Sequence, residues 1–285
     1  MSDITIINDT QQSELVTNGL AKNGELYLKA EGSTDAGAIV VYDSGAWRTF
    51  ANDYAPAGFS NNYSVSLDGT NDYLSLASTI NLPDGPRTIS AWVNFSSVSG
   101  TFNTIVGATA GNGYRGLHWS PSNGYIYFYG VDQTGRYKNY TGSITTNTWY
   151  HLMIVDNDSG SAGNFKIYVN GTDIGTPAPS ANTTAPLAME FEFIGKGGSS
   201  NEFPGLIDEV AIWNSDQSAN LSEIRDTSGA NPVPGDLSLM TNQPLHWWRM
   251  GDNDSGSGST VTDQGSAGVD ATLVNGASFS TNVPS

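Results

Sequence analysis

Apolar residues recur along this chain at every second position, the spacing of strands that lay one face on a core. In TISAWVNF, Ile89, Ala91, Val93 and Phe95 share a face while Ser90, Trp92 and Asn94 take the other. FKIYVNG repeats the pattern, with Phe165, Ile167 and Val169 against Lys166 and Tyr168. In MEFEFIG the alternation sets Phe191 and Phe193 opposite Glu190 and Glu192. Turn pairs such as Asp68-Gly69, Asn170-Gly171 and Gly197-Gly198 punctuate these runs. The pattern predicts an all-β chain folded as a two-sheet antiparallel sandwich. One helix interrupts it. In SANLSEIRDTSG, Leu221 and Ile224 lie three apart, a start falls near Ser218 or Asn220, and Gly229 is placed as a stop.

The pattern changes near Ala57-Gly58. Before it the anchors are sparse: residues 1–23 are polar, and 24–50 hold two strand-like runs, GELYLKA and GAIVVYDSGAWRTF. An Asp43-Ser44-Gly45 turn breaks the second run. Residues 1–60 are therefore read as a small β-unit or attachment arm, and 61–285 as the sandwich. Residues 229–285 contain LHWWRM and DATLVNG but are too few for a separate domain, so they are expected to complete the sandwich.

Composition narrows the function. The formal net charge is −17, from 11 Lys+Arg against 28 Asp+Glu, with no local basic cluster to offset it. Such a chain repels a phosphate backbone, which argues against nucleic-acid binding. No apolar run approaches the ~18 residues of a membrane span. The start, MSDITIINDTQQSELV, lacks the basic and apolar segments of a signal peptide. With no cysteine there are no disulfides or thiolate sites, so synthesis in a cytoplasm without secretion is expected.

Five segments, taken in order, carry a resemblance. They are YSVSLDGTNDYLSL, TISAWVNF, NTWYHLMIVDND, FKIYVNGTDIG and FPGLIDEVAIWN. Together they resemble the laminin-G/pentraxin-like group of concanavalin A-type jelly rolls, which implies two stacked sheets of about six or seven strands each. The Trp-rich strand and Gly/Ser loop that precede the first strand in many relatives here follow the helix, as LHWWRMGDNDSGSGS. GAIVVYDSGAWRTF is similar to a module of bacteriophage fibre or head-decorating proteins. The two resemblances imply a non-enzymatic virion surface protein, made in a host cytoplasm and present in many copies or as a homo-oligomer. Residues 1–60 would attach it to the major capsid protein or the tail, and the sandwich would face a cell-surface glycan. Capsid decoration is favoured over a tail fibre or receptor-binding protein because heptads and long repeats are missing. A glycan hydrolase and a free carbohydrate-binding module are the other readings.

Candidate chemistry follows. Glu190 and Glu192, on one strand face, would stand ~6.5–7 Å apart, near the separation glycosidases use. Ile194 occupies the place of a third alternating acid, and the alternative is two solvated carboxylates, so no catalytic residue is assigned. In GYIYFYG, Tyr125, Tyr127 and Tyr129 share a face over ~13 Å and are the candidate ligand-binding residues; the alternative is cross-strand pairing that only stabilises the sheet. For a structural calcium the candidates are the oxygen-rich turn of Asp68, Asn71 and Asp72, and Asp208 in GLIDEV. Asp208 is expected on the side of Val210 and Ile212, where the resemblance implies a calcium ligand. The alternatives are a turn shaped by Asp68 and Asn71, and an Asp208 bonded to backbone N–H groups. Asp252, Asp254 and Asp263 mimic an EF-hand spacing but lack flanking helices. His118, His151 and His246 have no metal-binding spacing.

Overall fold

The computed structural model describes residues 59–285 except 84, 100–101, 110–114, 131–134, 158–164, 176–177, 181–187, 199–200, 228 and 230, together with the backbone of four earlier strands. The chain divides into two compact units, Met1–Phe59 and Ser60–Ser285. The first holds a four-stranded sheet of β1 (Thr5–Ile7), β2 (Leu26–Lys29), β3 (Ile39–Asp43) and β4 (Ala46–Thr49) in that order. Strand β1 is parallel to β2, and the other pairs are antiparallel. The two predicted runs became β2 and the β3–β4 hairpin; β1 lies in a stretch whose sparse apolar residues predicted no strand.

The second unit is a sandwich. Its strands begin with β5 (Ser64–Asp68), β6 (Tyr73–Leu82), β7 (Arg87–Phe95), β8 (Asn103–Gly107), β9 (Gly116–Ser120) and β10 (Tyr125–Tyr129). Next come β11 (Gly135–Asn139), β12 (Trp149–Asp156), β13 (Phe165–Val169), β14 (Thr172–Asp173), β15 (Ala178–Ser180), β16 (Met189–Ile194) and β17 (Pro204–Trp213). A 3₁₀ turn at Ser218–Asn220 leads into α1 (Leu221–Ile224). The chain closes with β18 (Arg225–Asp226), β19 (Val233–Pro234), β20 (His246–Trp248), β21 (Thr260–Val261), β22 (Ala271–Val274) and β23 (Ser278–Ser280).

One sheet runs β15-β11-β10-β9-β8-β16-β6-β22-β21 and the other β14-β13-β12-β7-β17-β5-β23, with β20 also paired to β17. The sheets therefore have nine and eight strands, more than expected. The surplus comes partly from the C-terminal segment, which feeds β21 and β22 to one sheet and β20 and β23 to the other. Between the sheets the described residues form an apolar core. Strand β7 supplies Ile89, Ala91, Val93 and Phe95, and β10 supplies Ile126 and Phe128. Phe165, Ile167 and Val169 join from β13. Each large side chain so buried stabilises by ~1.5–3 kcal/mol, and the alternation decides which ones take part.

The outer faces differ. Strand β7 is buried at every position, on both faces, whereas β10 alternates buried with part-exposed residues. The eight-stranded sheet is covered in its middle; the nine-stranded sheet presents β10 to solvent.

Two bulges overturn local expectations. In β16 the register slips between Phe191 and Phe193: Phe191 pairs with Ile80, but Phe193 pairs with Ser75 and Ile194 with Leu74. Between these pairs β16 advances two residues and β6 five, so three extra residues lie on β6; past the irregularity Phe193 leaves the core and Ile194 enters it. In β17 the slip falls between Asp208 and Ala211, and Glu209 there has φ 47°, a left-handed value. Asp208 pairs with outward-facing Trp92 while Ile212 pairs with core residue Ile89. Asp208 thus lies on the face opposite Val210 and Ile212, contrary to the period-two expectation. The helix is shorter than Gly229 suggested. It ends at Arg225, where φ −122° and ψ 93° return the chain to a strand that pairs with β19.

Candidate functional site

The solvent side of the nine-stranded sheet is built around β10. Tyr125, Tyr127 and Tyr129 are part-exposed there, while Ile126 and Phe128 between them are buried in the core. Register extends this row sideways: Tyr127 faces Tyr137 on β11 and His118 on β9, and His118 faces Thr104 on β8. Tyr127 and Tyr129 stack with ring centroids 5.9 Å apart and planes 12° from parallel. Tyr137 packs against Tyr125 at 5.6 Å and against Tyr127 at 5.8 Å. Phe102 closes the array, 4.9 Å from Tyr127 and 5.6 Å from the buried His118. The His118 Nδ1 lies 2.8 Å from Thr104 Oγ1, which fixes the ring under the aromatic layer. Burial pushes the Tyr127 phenol above its ordinary value; a hydrogen bond with the Asn123 side chain opposes this and the Tyr125 and Tyr137 phenols add to it. The phenol stays neutral at physiological pH. The result is an uncharged platform of apolar rings with polar tips.

Cross-strand pairing of the tyrosines, the alternative weighed from sequence, is present, and the rings remain accessible as well. Tyr137 and Phe102 were not singled out from the sequence, and His118 was considered there only as a metal ligand. Tyr137 alone left a signal, the alternation of GRYKN; the others arrive through register and loop packing. Farther along the same face Lys196 sits 4.1 Å from the Tyr73 ring centroid, and Tyr73 meets Phe193 edge-on at 5.2 Å.

Glu190 and Glu192 do not form an acid pair. Glu190 is engaged by Arg115 in a salt bridge. Glu192, at the bulge, accepts hydrogen bonds from the Thr109 backbone N–H at 2.9 Å and from its hydroxyl at 2.5 Å. Alternation holds from Met189 through Glu192, so the two acids keep the shared outer face, but each carboxylate is engaged by a separate loop residue.

The oxygen-rich turn and Asp208 also stay apart. Asp68 pairs with Pro204 on β17, so Asp208 lies four residues farther along, about 13 Å at the usual strand rise. Asp68 accepts the N–H groups of Thr70 and Asn71, and this turn bonding lowers its pKa. Asp72 accepts the N–H groups of Asp68 and Gly276, tying the turn to the one before β23. Asn71 offers its carbonyl to the Asn275 amide. The four residues therefore do not fit around one calcium ion, and no cluster of three or more His, Asp or Glu suited to a metal occurs among the described residues.

Asp208 instead belongs to a buried acid cluster. Asn61 Nδ2 donates to its Oδ2 at 2.8 Å and the Glu209 N–H to its Oδ1 at 2.8 Å. Glu209 accepts from the Trp247 indole N–H and from Arg249 Nε at 3.2 Å. Arg249 also reaches Asp252 at 3.8 Å, and Asp252 accepts the Asn62 N–H at 2.8 Å. Glu209 and Asp252 thus share one guanidinium, and Asp208 lies beside them without an ion pair of its own among the described residues. Burial raises the Asp208 pKa well above its ordinary value, and the Glu209 charge adds to it. Burial raises Glu209 to about 7 despite the Arg249 charge and the Trp247 bond.

The sequence profile of the concanavalin A-like lectin/glucanases superfamily matches residues 68–224. No curated protein matches the chain. Among solved structures, a "putative carbohydrate binding protein" from Bacteroides ovatus is similar at TM-score 0.54 and 18% identity, over 91% of this chain and 70% of that one. A heptameric SAP-like pentraxin from Limulus polyphemus is similar at TM-score 0.45 and 14% identity, over 78% of this chain and 95% of that one. Domain 4 of an extracellular arabinanase from Geobacillus stearothermophilus, solved with arabinotriose, is similar at TM-score 0.41 and 17% identity, over 73% and 94%.

Proposed function

Because this chain belongs to the concanavalin A-like lectin/glucanases superfamily, we infer that it is a lectin that binds an uncharged glycan and does not cleave it. The observation that carries this reading is the part-exposed tyrosine array on β10 and β11. Tyrosine faces take the C–H side of a sugar ring while the hydroxyl tips bond its oxygens. An array of several rings suits a chain of sugars better than a single one. Binding without cleavage is supported by Glu190 and Glu192, each already held by a different loop residue. A glycosidase needs two acids facing one bond.

The physiological setting in this reading is a virion surface. Its support is the resemblance of residues 37–50 to phage fibre and decoration modules. Residues 1–60 attach the protein to a capsid or tail, and many copies supply avidity for a cell-surface glycan.

Titration calorimetry with neutral oligosaccharides tests the lectin reading. Tyr127→Ala is expected to weaken binding about tenfold, the loss of one stacked ring. Glycan binding that ignores Tyr127, or reducing ends released from the glycan, would contradict it.

A further inference from the structure

The outer face of the eight-stranded sheet carries a different feature. Asp208, Trp92 and His151 lie in register across β17, β7 and β12. Past β12 the Asn170-Gly171 turn closes the β13–β14 hairpin, with φ 50° and 79° at its two residues. Arg225, the first residue of β18, lays its guanidinium over this turn. A Cβ at Gly171 would stand 3.1 Å from Arg225 Nη1, so glycine serves both the left-handed backbone and the close approach.

Arg225 is out of keeping with its surroundings. In a chain with 28 acids, no carboxylate among the described residues pairs with it, and its buried Nε has no hydrogen-bond partner. Burial alone lowers its pKa. His151 beneath it offers no counter-charge: burial, and then the Arg225 charge, push the imidazole down to about 3, so it is neutral. A part-buried cation without a partner costs free energy that a bound anion would recover.

Beside the guanidinium opens a cavity of about 410 Å³, within the ~300–1,000 Å³ range of small-molecule sites. Trp92 and Trp149 wall it, and Asn147, Asn170 and Asn231 bring amides to it. Trp92 rests on His151 with ring centroids 5.1 Å apart, and the Trp149 indole N–H donates to Asn282 Oδ1 at 3.1 Å. Both indoles are therefore held in place. Asn170 Oδ1 already accepts the His151 N–H at 2.9 Å, which leaves its NH₂ for a ligand.

We propose that this cavity is a second saccharide site, which takes a sugar ring bearing a carboxylate. The planar guanidinium matches a carboxylate with two parallel N–H···O bonds. The indoles cover the apolar face of the ring, and the amides serve its hydroxyls. The net charge of −17 does not forbid an anion here. Asp208 is one strand spacing from Trp92 at the far wall of the cavity but three, ~14 Å, from the β13 turn that Arg225 covers, beyond the ~8 Å over which charges act at physiological ionic strength. The site is on the opposite sheet from the tyrosine array and stands independently of it.

The test is titration calorimetry and tryptophan fluorescence of the full chain with D-glucuronate and D-galacturonate, against D-glucose, inorganic phosphate and sulfate. The uronates are expected to quench or shift tryptophan emission, with glucose at least about tenfold weaker. Arg225→Met is expected to abolish uronate binding without lowering the melting temperature, since it removes an unpaired cation. Trp149→Ala and Asn231→Ala should weaken binding in a folded protein, and Tyr127→Ala should leave it unchanged. The proposal fails if the uronates give no signal, if phosphate or sulfate binds as tightly, if binding survives Arg225→Met, or if Tyr127→Ala removes it.

Discussion

Glu209 concentrates the unusual physics of single residues in this molecule. It has a left-handed backbone, is 4% exposed, and shares one guanidinium with Asp252. Its folded pKa of about 7 exceeds the ordinary 4.5, so between those values the folded protein holds a proton that the unfolded chain has released. Stability is then greatest at the acid end of that window and falls as pH rises toward 7. Asp208, raised for the same reason, adds in the same direction. Thermal melts in chelator from pH 5 to pH 8 should show a falling melting temperature. Glu209→Gln, which keeps an acceptor for the Trp247 indole, should flatten the curve and melt higher at pH 8. A wild-type melt that rises with pH would place both acids in a better-solvated setting than the structure gives them.

Among the elements, the loop between β20 and β22 depends on one carboxylate. Asp263 accepts His246 Nδ1 at 2.7 Å and the N–H groups of Trp247, Gly265 and Val269 at 2.7, 2.8 and 2.8 Å. The Asp254 carboxylate bonds Thr262, and that of Asp252 bonds Asn62 and pairs with Arg249, so the three acids with EF-hand-like spacing serve three separate segments. Asp263→Ala would strand those buried donors and is expected to cost ~3 kcal/mol in urea denaturation. Asp254→Ala, at a more open position, should cost ~1 kcal/mol or less. Equal costs for the two would show that Asp263 is not the fastening of β20. The irregularities where β16 meets β6 and in β17 act at the same scale, each turning one residue outward that strict alternation would have placed inside.

For the molecule as a whole, the division after Phe59 sets the experiment. Residues 60–285 hold both sheets and the core between them. A protein lacking residues 1–59 should stay soluble and melt cooperatively, and should bind glycan as the full chain does. On the proposed role of the first unit, the shortened protein should fail to join particles. Incorporation without residues 1–59 would move the attachment surface to the sandwich. Failure to fold would place part of its core in the first unit. Pelleting with purified particles and a melting curve read these outcomes separately.

What the sequence determined by itself was whatever depends on neighbours one or two residues away. Alternation in TISAWVNF and FKIYVNG named the core faces of β7 and β13, and Asn170-Gly171 named its turn, because pleat and backbone φ are local properties. The stripe of Tyr125, Tyr127 and Tyr129 was legible on the same ground. Only the tertiary structure decided the rest. Phe193 and Asp208 changed faces because a bulge is settled by pairing across strands, which period-two reading does not contain. Tyr137 and Phe102 joined the tyrosines through register and loop packing. Arg225 met Trp92 and Asn147, more than 75 positions earlier, because β-sandwich topology brings distant segments together. An arginine's need for an anion becomes visible only when every carboxylate near it in space has been accounted for.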